Sequence, residues 1–230
     1  MCENCATWTR RGLLGLAAGA GASMLSGGAA RAGGVKPDEA LARLKAGNSK
    51  YVAAPQLCEI DPSAARAKVA KTQAPWATIL TCSDSRVTPE IIFGGVDPGE
   101  LFVARNAGNI ADIDVVGSME YAAEHLSVPL IVVMGHQRCG AVSAACDVAA
   151  KDAKFPGAIG RMLESIVPAA LNVKGREGDF VDNAVRENAR RNAIMIRANS
   201  EIIAGMEKEG KVKIAYARFD LETGVVDFLG

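Results

Sequence analysis

Val128-Pro129-Leu130-Ile131-Val132-Val133-Met134 is a seven-residue run without a charged or polar side chain. It is followed at once by Gly135-His136-Gln137-Arg138-Cys139-Gly140. So short an unbroken apolar run, rich in β-branched residues, reads as a strand covered on both faces. Such a strand needs helices on both sides, which restricts the chain to a layered α/β fold built on a mostly parallel sheet. The polar segment after it marks the carboxyl end of the strand, where open parallel sheets bind their ligands.

Two further runs repeat the pattern. Trp76-Ala77-Thr78-Ile79-Leu80-Thr81 is a second buried strand and leads into Cys82-Ser83-Asp84-Ser85-Arg86, and Leu101-Phe102-Val103-Ala104 is a third. Helical signals lie around them. Pro37-Asp38-Glu39 opens a helix that Gly47-Asn48 is expected to stop, and a second helix is expected from Asp61-Pro62 to about Gln73. Val115, Val116, Met119, Ala122, Ala123 and Leu126 recur at helical spacing. Later helices are expected over about 140–150, 157–171 and 181–210, then a closing pair of strands at 213–217 and 225–228 around Thr223-Gly224. The alternation gives about five strands in one mostly parallel sheet flanked by helices, with the C-terminal edge strand antiparallel.

The first thirty residues follow a different logic. Thr9-Arg10-Arg11-Gly12-Leu13-Leu14 sets paired arginines before an uncharged stretch reaching Leu25, and Ala30-Arg31-Ala32 provides a small-residue cleavage site. This is the pattern of an export signal, and the paired arginines point to the twin-arginine route and a periplasmic destination. The apolar stretch, roughly 13 residues, is too short and too glycine-rich to span a bilayer. No cysteine follows it to accept lipid, so no membrane anchor is expected after cleavage. Residues 1–32 are therefore expected to leave, and 33–230 to fold as a single catalytic domain. Cys2-x2-Cys5 has half the spacing of a zinc knuckle, and no second half follows.

Charge excludes one class of partner. The full chain balances 26 Lys and Arg against 26 Asp and Glu. Cleavage after Ala32 removes Arg10, Arg11, Arg31 and Glu3, leaving 23 basic and 25 acidic residues. Neither balance has the basic excess that phosphate binding needs, and aromatics at 5% offer few rings for stacking. Nucleic acid is not an expected partner.

The polar residues at the two strand ends carry the chemistry. Cys82, His136 and Cys139 form a Cys2His set, two of them on one turn and the third on another strand. Thiolate and imidazole suit zinc, and three protein ligands leave the fourth position open for reaction. Cys139 is placed to begin a helix, whose positive end favours the thiolate. His136 must ligate as neutral imidazole, its other nitrogen held by an acceptor the sequence does not identify. Asp84 is either a fourth ligand that closes the site or an acceptor beside the metal, held there by a bidentate pair with Arg86.

At this point the chain resembles the β-class carbonic anhydrases. Cys82-Ser83-Asp84-Ser85-Arg86 and His136-Gln137-Arg138-Cys139 are similar to the two characteristic segments of that family, C-x-D-x-R and H-x-x-C. Arg105-Asn106-Ala107-Gly108-Asn109, Glu120-Tyr121-Ala122 and Gly47-Asn48-x-x-Tyr51 also match its pattern. The resemblance implies a Rossmann-like α/β fold and one Zn2+ per chain on Cys82, His136 and Cys139, with an Asp84–Arg86 dyad. It implies reversible hydration of CO2 to bicarbonate by a hydroxide formed on the metal. It implies a homodimer, or a dimer of dimers, in which Gln73 lines the partner's substrate pocket and Gly108 its own. Some bacterial members carry a Trp three residues before the first zinc cysteine, beside a non-catalytic bicarbonate pocket. Ile79 stands there in this chain, although Arg105 and Tyr121 fit the rest, so bicarbonate inhibition of that type is not expected.

The same residues admit other readings. The same zinc site serves hydrolysis of carbonyl sulfide or carbon disulfide in some relatives. A zinc- or bicarbonate-binding protein without turnover would belong to another class. His125 is a candidate proton shuttle, or only a favourable charge at a helix end. Cys58 and Cys146 would find the periplasm oxidising enough to pair, though no spacing brings them together.

Overall fold

The computed structural model describes residues 34–230. The expected export signal and the Cys2–Cys5 pair lie outside the described residues. Among the described residues, no helix is long and apolar enough to cross a membrane.

The chain opens with helices α1 (Pro37–Ala53) and α2 (Pro62–Val69), then strand β1 (Ala77–Cys82), a short α3 (Pro89–Ile92) and strand β2 (Leu101–Asn106). Helix α4 (Ile113–Glu120) runs into a π turn over Tyr121–His125, and strand β3 (Leu130–His136) follows. Helices α5 (Gly140–Lys151), α6 (Gly157–Leu163), α7 (Val167–Val173), α8 (Phe180–Asn199) and α9 (Glu201–Lys208) lead to strands β4 (Lys213–Phe219) and β5 (Val226–Phe228). The strands form one sheet in the order β2-β1-β3-β4-β5, parallel except for β5. This is the α/β architecture expected, with five strands and an antiparallel C-terminal edge.

β3 is buried along its whole length, as its composition demands. Leu130, Val132 and Met134 face the layer that holds Leu44 of α1 and Ile92 of α3. Ile131 and Val133 face Met119 of α4 and Ala189, Ala193 and Ile196 of α8. Each large aliphatic side chain so buried contributes about 1.5–3 kcal/mol. The strand starts two residues later than expected, because Pro129 has no N–H for the ladder. It extends to His136, whose partner in β4 is Phe219. That extension places His136 within the buried, paired part of the sheet.

Several helix boundaries differ from expectation. Gly47-Asn48 does not stop α1. A Cβ at Gly47 would overlap the Phe93 carbonyl, so the glycine is there for close approach. Buried Asn48 donates from Nδ2 to the Gly224 carbonyl at 2.8 Å and accepts from Val226 N–H at 2.9 Å, tying α1 to the final turn. The second helix ends at Val69, short of Gln73. The helix expected over 157–171 breaks before α7, where Pro168 cannot donate to the preceding turn. The long helix expected over 181–210 breaks at Ser200, whose Oγ caps Ile203 N–H at 3.0 Å and donates to Glu120 at 2.6 Å.

Candidate metal centre

β1 and β3 are parallel neighbours, with Thr81 opposite Met134, so their carboxyl ends emerge together. Cys82 is the last residue of β1, His136 the last of β3, and Cys139 the N-cap of α5. Their ligand atoms all lie within 4.8 Å of one another, and all three residues are buried. The Sγ atoms of Cys82 and Cys139 are 3.8 Å apart. Two zinc–sulfur bonds of about 2.3 Å at a tetrahedral angle require a separation of about that length.

His136 is wholly buried, and its Nδ1 lies 3.0 Å from the Gln137 carbonyl. A carbonyl can only accept, so Nδ1 carries the proton and Nε2 presents a lone pair. That Nε2 is buried without a hydrogen-bond partner. A buried lone pair facing two thiols has the chemistry of a metal ligand, and the residues present therefore fit a zinc ion. Gln137 supplies the acceptor that the sequence left unidentified.

The thiols are unequal. The Cys139 S–H, with help from His136 and then the Gly108 and Asp84 amides, holds Cys82 well below the usual thiol range against the opposing effect of burial. The same contact, with burial, pushes Cys139 up, although the free N–H groups of Val142 and Ala141 at the start of α5 oppose this. A divalent cation relieves the conflict, because it stabilises both thiolates at once.

Asp84 stands beside this cage. Its Oδ1 accepts from Arg86 N at 3.0 Å and Nε at 2.9 Å, and its Oδ2 accepts from Nη2 at 2.7 Å. The Arg86 guanidinium thereby holds the Asp84 carboxyl far below the usual carboxylate range. The same Oδ2 is 3.8 Å from His136 Nε2. An ionised acceptor thus lies at the edge of the ligand cluster with both oxygens engaged by Arg86.

Neighbouring residues brace the two loops. Arg105 of β2 donates to the Cys82 carbonyl at 3.0 Å and the Asp84 carbonyl at 2.7 Å. Gly108, with φ +81°, donates its N–H to Cys82 Sγ at 3.4 Å, so it touches a ligand rather than only lining a pocket. In the other loop Arg138 takes φ +53°, which turns the chain sharply between His136 and Cys139. The bracing role of Arg105 and the buried Asn188 and Asn192 of α8 escaped sequence reasoning. A polar pair at i, i+4 within an otherwise apolar helix face was the available signal for the latter.

Other expected residues lie elsewhere. Gln73 is exposed in the segment that leads into β1, beyond the end of the strand opposite Cys82. His125 lies 62% exposed at the end of the π turn, on the approach to the start of β3, opposite the metal edge. Within one chain neither joins the site. Cys58 and Cys146 are separate buried free thiols.

A parallel sheet presenting two cysteines and a histidine at its carboxyl edge, with an ionised acceptor beside them, defines a single-metal zinc enzyme centre. The carbonic anhydrase family pattern matches residues 77–226. Carbonic anhydrase 2 of Mycobacterium tuberculosis is 38% identical over 191 residues, spanning 82% of this chain and 90% of that protein. The carbonic anhydrase of Mycolicibacterium smegmatis is 33% identical over 192 residues, 83% of this chain and 92% of that protein. A tetrameric β-carbonic anhydrase from the ascomycete Sordaria macrospora superposes with a TM-score of 0.64 at 29% identity, covering 72% of this chain and 85% of that one. The chain belongs to the β-carbonic anhydrase family.

Proposed function

We propose that the protein catalyses the reversible hydration of CO2 to bicarbonate and a proton at a zinc ion held by Cys82, His136 and Cys139. The observation that carries this reading is the buried, unpartnered His136 Nε2 within 4.8 Å of two thiols. When bound, zinc supplies a Lewis-acid centre and makes water acidic near neutral pH. The chain's own residues do the rest. The cage excludes solvent from the ligands, and the Gln137 carbonyl fixes the His136 tautomer. Asp84, kept ionised by Arg86, accepts a hydrogen bond from the reacting water and turns its lone pair toward CO2. With both oxygens on Arg86, Asp84 leaves the fourth ligand position open. A crystal structure below pH 7 with a Zn–Asp84 bond would favour the closed alternative.

Stopped-flow CO2 hydration on the purified protein, with metal analysis, tests this directly. One zinc per chain with rapid turnover is expected. One zinc per chain without turnover would overturn the enzyme reading in favour of a binding protein.

We also propose an assembly and a destination for the protein. The protein works as a homodimer or a dimer of dimers, with Gln73 reaching the partner's pocket. Its exposure and its distance from its own Cys82 support this, and β2 offers an unpaired edge. Sedimentation velocity showing only monomer would sink it. The protein acts in the periplasm after twin-arginine export, which carries folded chains and so admits zinc before the thiolates meet oxidising conditions. The Arg10-Arg11 pair and the Ala30-Arg31-Ala32 site support this. Intact-mass analysis of the periplasmic fraction should find a chain beginning at Gly33, lost when both arginines become lysine.

A further inference from the structure

Two buried asparagines connect α8 to the sulfur of Cys82. Asn188 and Asn192 sit one turn apart, 1% and 6% exposed, among Ala184, Val185, Ala189, Ala193 and Ile196. Placing amides on such a face costs about 1–3 kcal/mol for each polar group left without a partner. Their hydrogen bonds run in one direction. Ala111 N–H donates to Asn192 Oδ1 at 2.8 Å, which fixes that amide. Asn192 Nδ2 therefore donates to Asn188 Oδ1 at 3.1 Å and to the Asn188 carbonyl at 2.9 Å. This fixes Asn188 in turn, and its Nδ2 donates to the Gly108 carbonyl at 2.8 Å. The N–H of the same Gly108 donates to Cys82 Sγ. On the other side of the turn, a Cβ at Gly108 would collide with the Ile166 side chain, so little slack remains. α8 thus grips the 108–111 turn at both ends, and that turn carries a backbone donor aimed at a metal-site sulfur.

We propose that Asn188, backed by Asn192, is a positioning residue that holds the Gly108 N–H on the Cys82 thiolate and so sets how much electron density that thiolate gives the metal. The inference rests on zinc occupying the cage. An N–H···S bond draws charge from sulfur, and a weaker thiolate donor leaves the metal a stronger Lewis acid. Asn188 touches neither metal nor substrate and acts only through Gly108.

Cobalt substitution reads the sulfur directly. Asn188→Asp keeps the size of the side chain and the acceptor for Asn192, but faces the Gly108 carbonyl with an oxygen instead of a donor. Its cobalt form should show the sulfur-to-metal charge-transfer band at lower energy than the unaltered protein. The zinc form should show the pH midpoint of kcat/KM displaced upward, with one metal per chain retained. Glu187→Gln, next to Asn188 but outside the relay, should move neither. An Asn188→Asp protein with the unaltered band and midpoint would overturn the proposal. If that variant does not fold, NMR of the unaltered protein loaded with cadmium-113 decides. Scalar coupling between the metal and the Gly108 amide proton is expected, and its absence overturns the proposal. Failure of the unaltered protein to take up cobalt or cadmium would instead overturn the zinc reading itself.

Discussion

The loops after β3 and after β1 meet at one site but are built differently. The loop after β3 is held by main chain. His136 is still in register with β4, Gln137 N–H donates to the Phe219 carbonyl at 2.8 Å, and Cys139 starts α5. The loop after β1 also starts on main chain, with Ser83 N–H on the Asn106 carbonyl at 3.1 Å, but Arg105 of β2 grips its carbonyls from the side and its working end faces outward. There the side chain of Arg86 is 51% exposed and that of Asp84 18%, whereas His136 has no exposed surface. The contrast separates two tasks. Metal ligands gain from a dry, immobile seat, which limits hydrolysis and loss of the ion. A group that handles a proton needs a route to water, and an ion pair with Arg86 keeps it charged without burial.

Breaking the dry side should have the largest effect. Cys139→Ser is expected to lose both zinc and CO2 hydration, as followed by metal analysis and stopped flow. A variant still holding one zinc per chain would show that the β3 loop is not the essential seat. On the wet side, Asp84→Asn should keep zinc but lower kcat/KM by about 10²- to 10⁴-fold, the usual weight of proton handling. Unchanged turnover would remove Asp84 from the chemistry.

Arg105→Ala comes next. Freeing the Cys82 and Asp84 carbonyls should cost about tenfold in kcat/KM with zinc retained, in the range of outer partners at metal sites.

The Asp84–Arg86 pair also predicts a pH signature. The folded carboxyl lies below its unfolded value, so its stabilisation is fully present above the unfolded pKa of about 3.9. It is lost only as pH falls through the lower folded value. The Tm difference between the unaltered protein and Asp84→Asn should therefore stay constant from pH 8 to about 5, and shrink only under stronger acid. A difference that fades near neutrality would contradict the pairing.

The smallest effect is expected at Arg138, whose ion pair with Glu222 at 2.6 Å is more than half exposed on both sides. Arg138→Ala should change stability by no more than about 1 kcal/mol in denaturant titration.

The two loops also differed in how far the sequence disclosed them. Both follow apolar runs, and that juxtaposition was enough to place Cys82, His136 and Cys139 at one sheet edge. The Asp84–Arg86 pair was legible because its partners are two residues apart. Contacts set by packing were not. Gly47-Asn48 looks like a helix stop, yet its glycine exists for contact with Phe93 and its asparagine bonds to Gly224 and Val226, far away in the chain. Asn188 and Asn192 resemble ordinary polar helix positions until Gly108 and Ala111 arrive from another segment. Gln73 is illegible within one chain for the opposite reason, since its proposed target belongs to a partner.

The central claim is that two sulfurs and one imidazole seat the metal, His136 and Cys139 from the dry loop and Cys82 from the buried end of β1. Zinc-edge X-ray absorption on the purified protein tests it most directly. Two sulfur neighbours at about 2.3 Å and two nitrogen or oxygen neighbours at about 2.0–2.2 Å are predicted. A shell with three sulfurs, or with none, would contradict it.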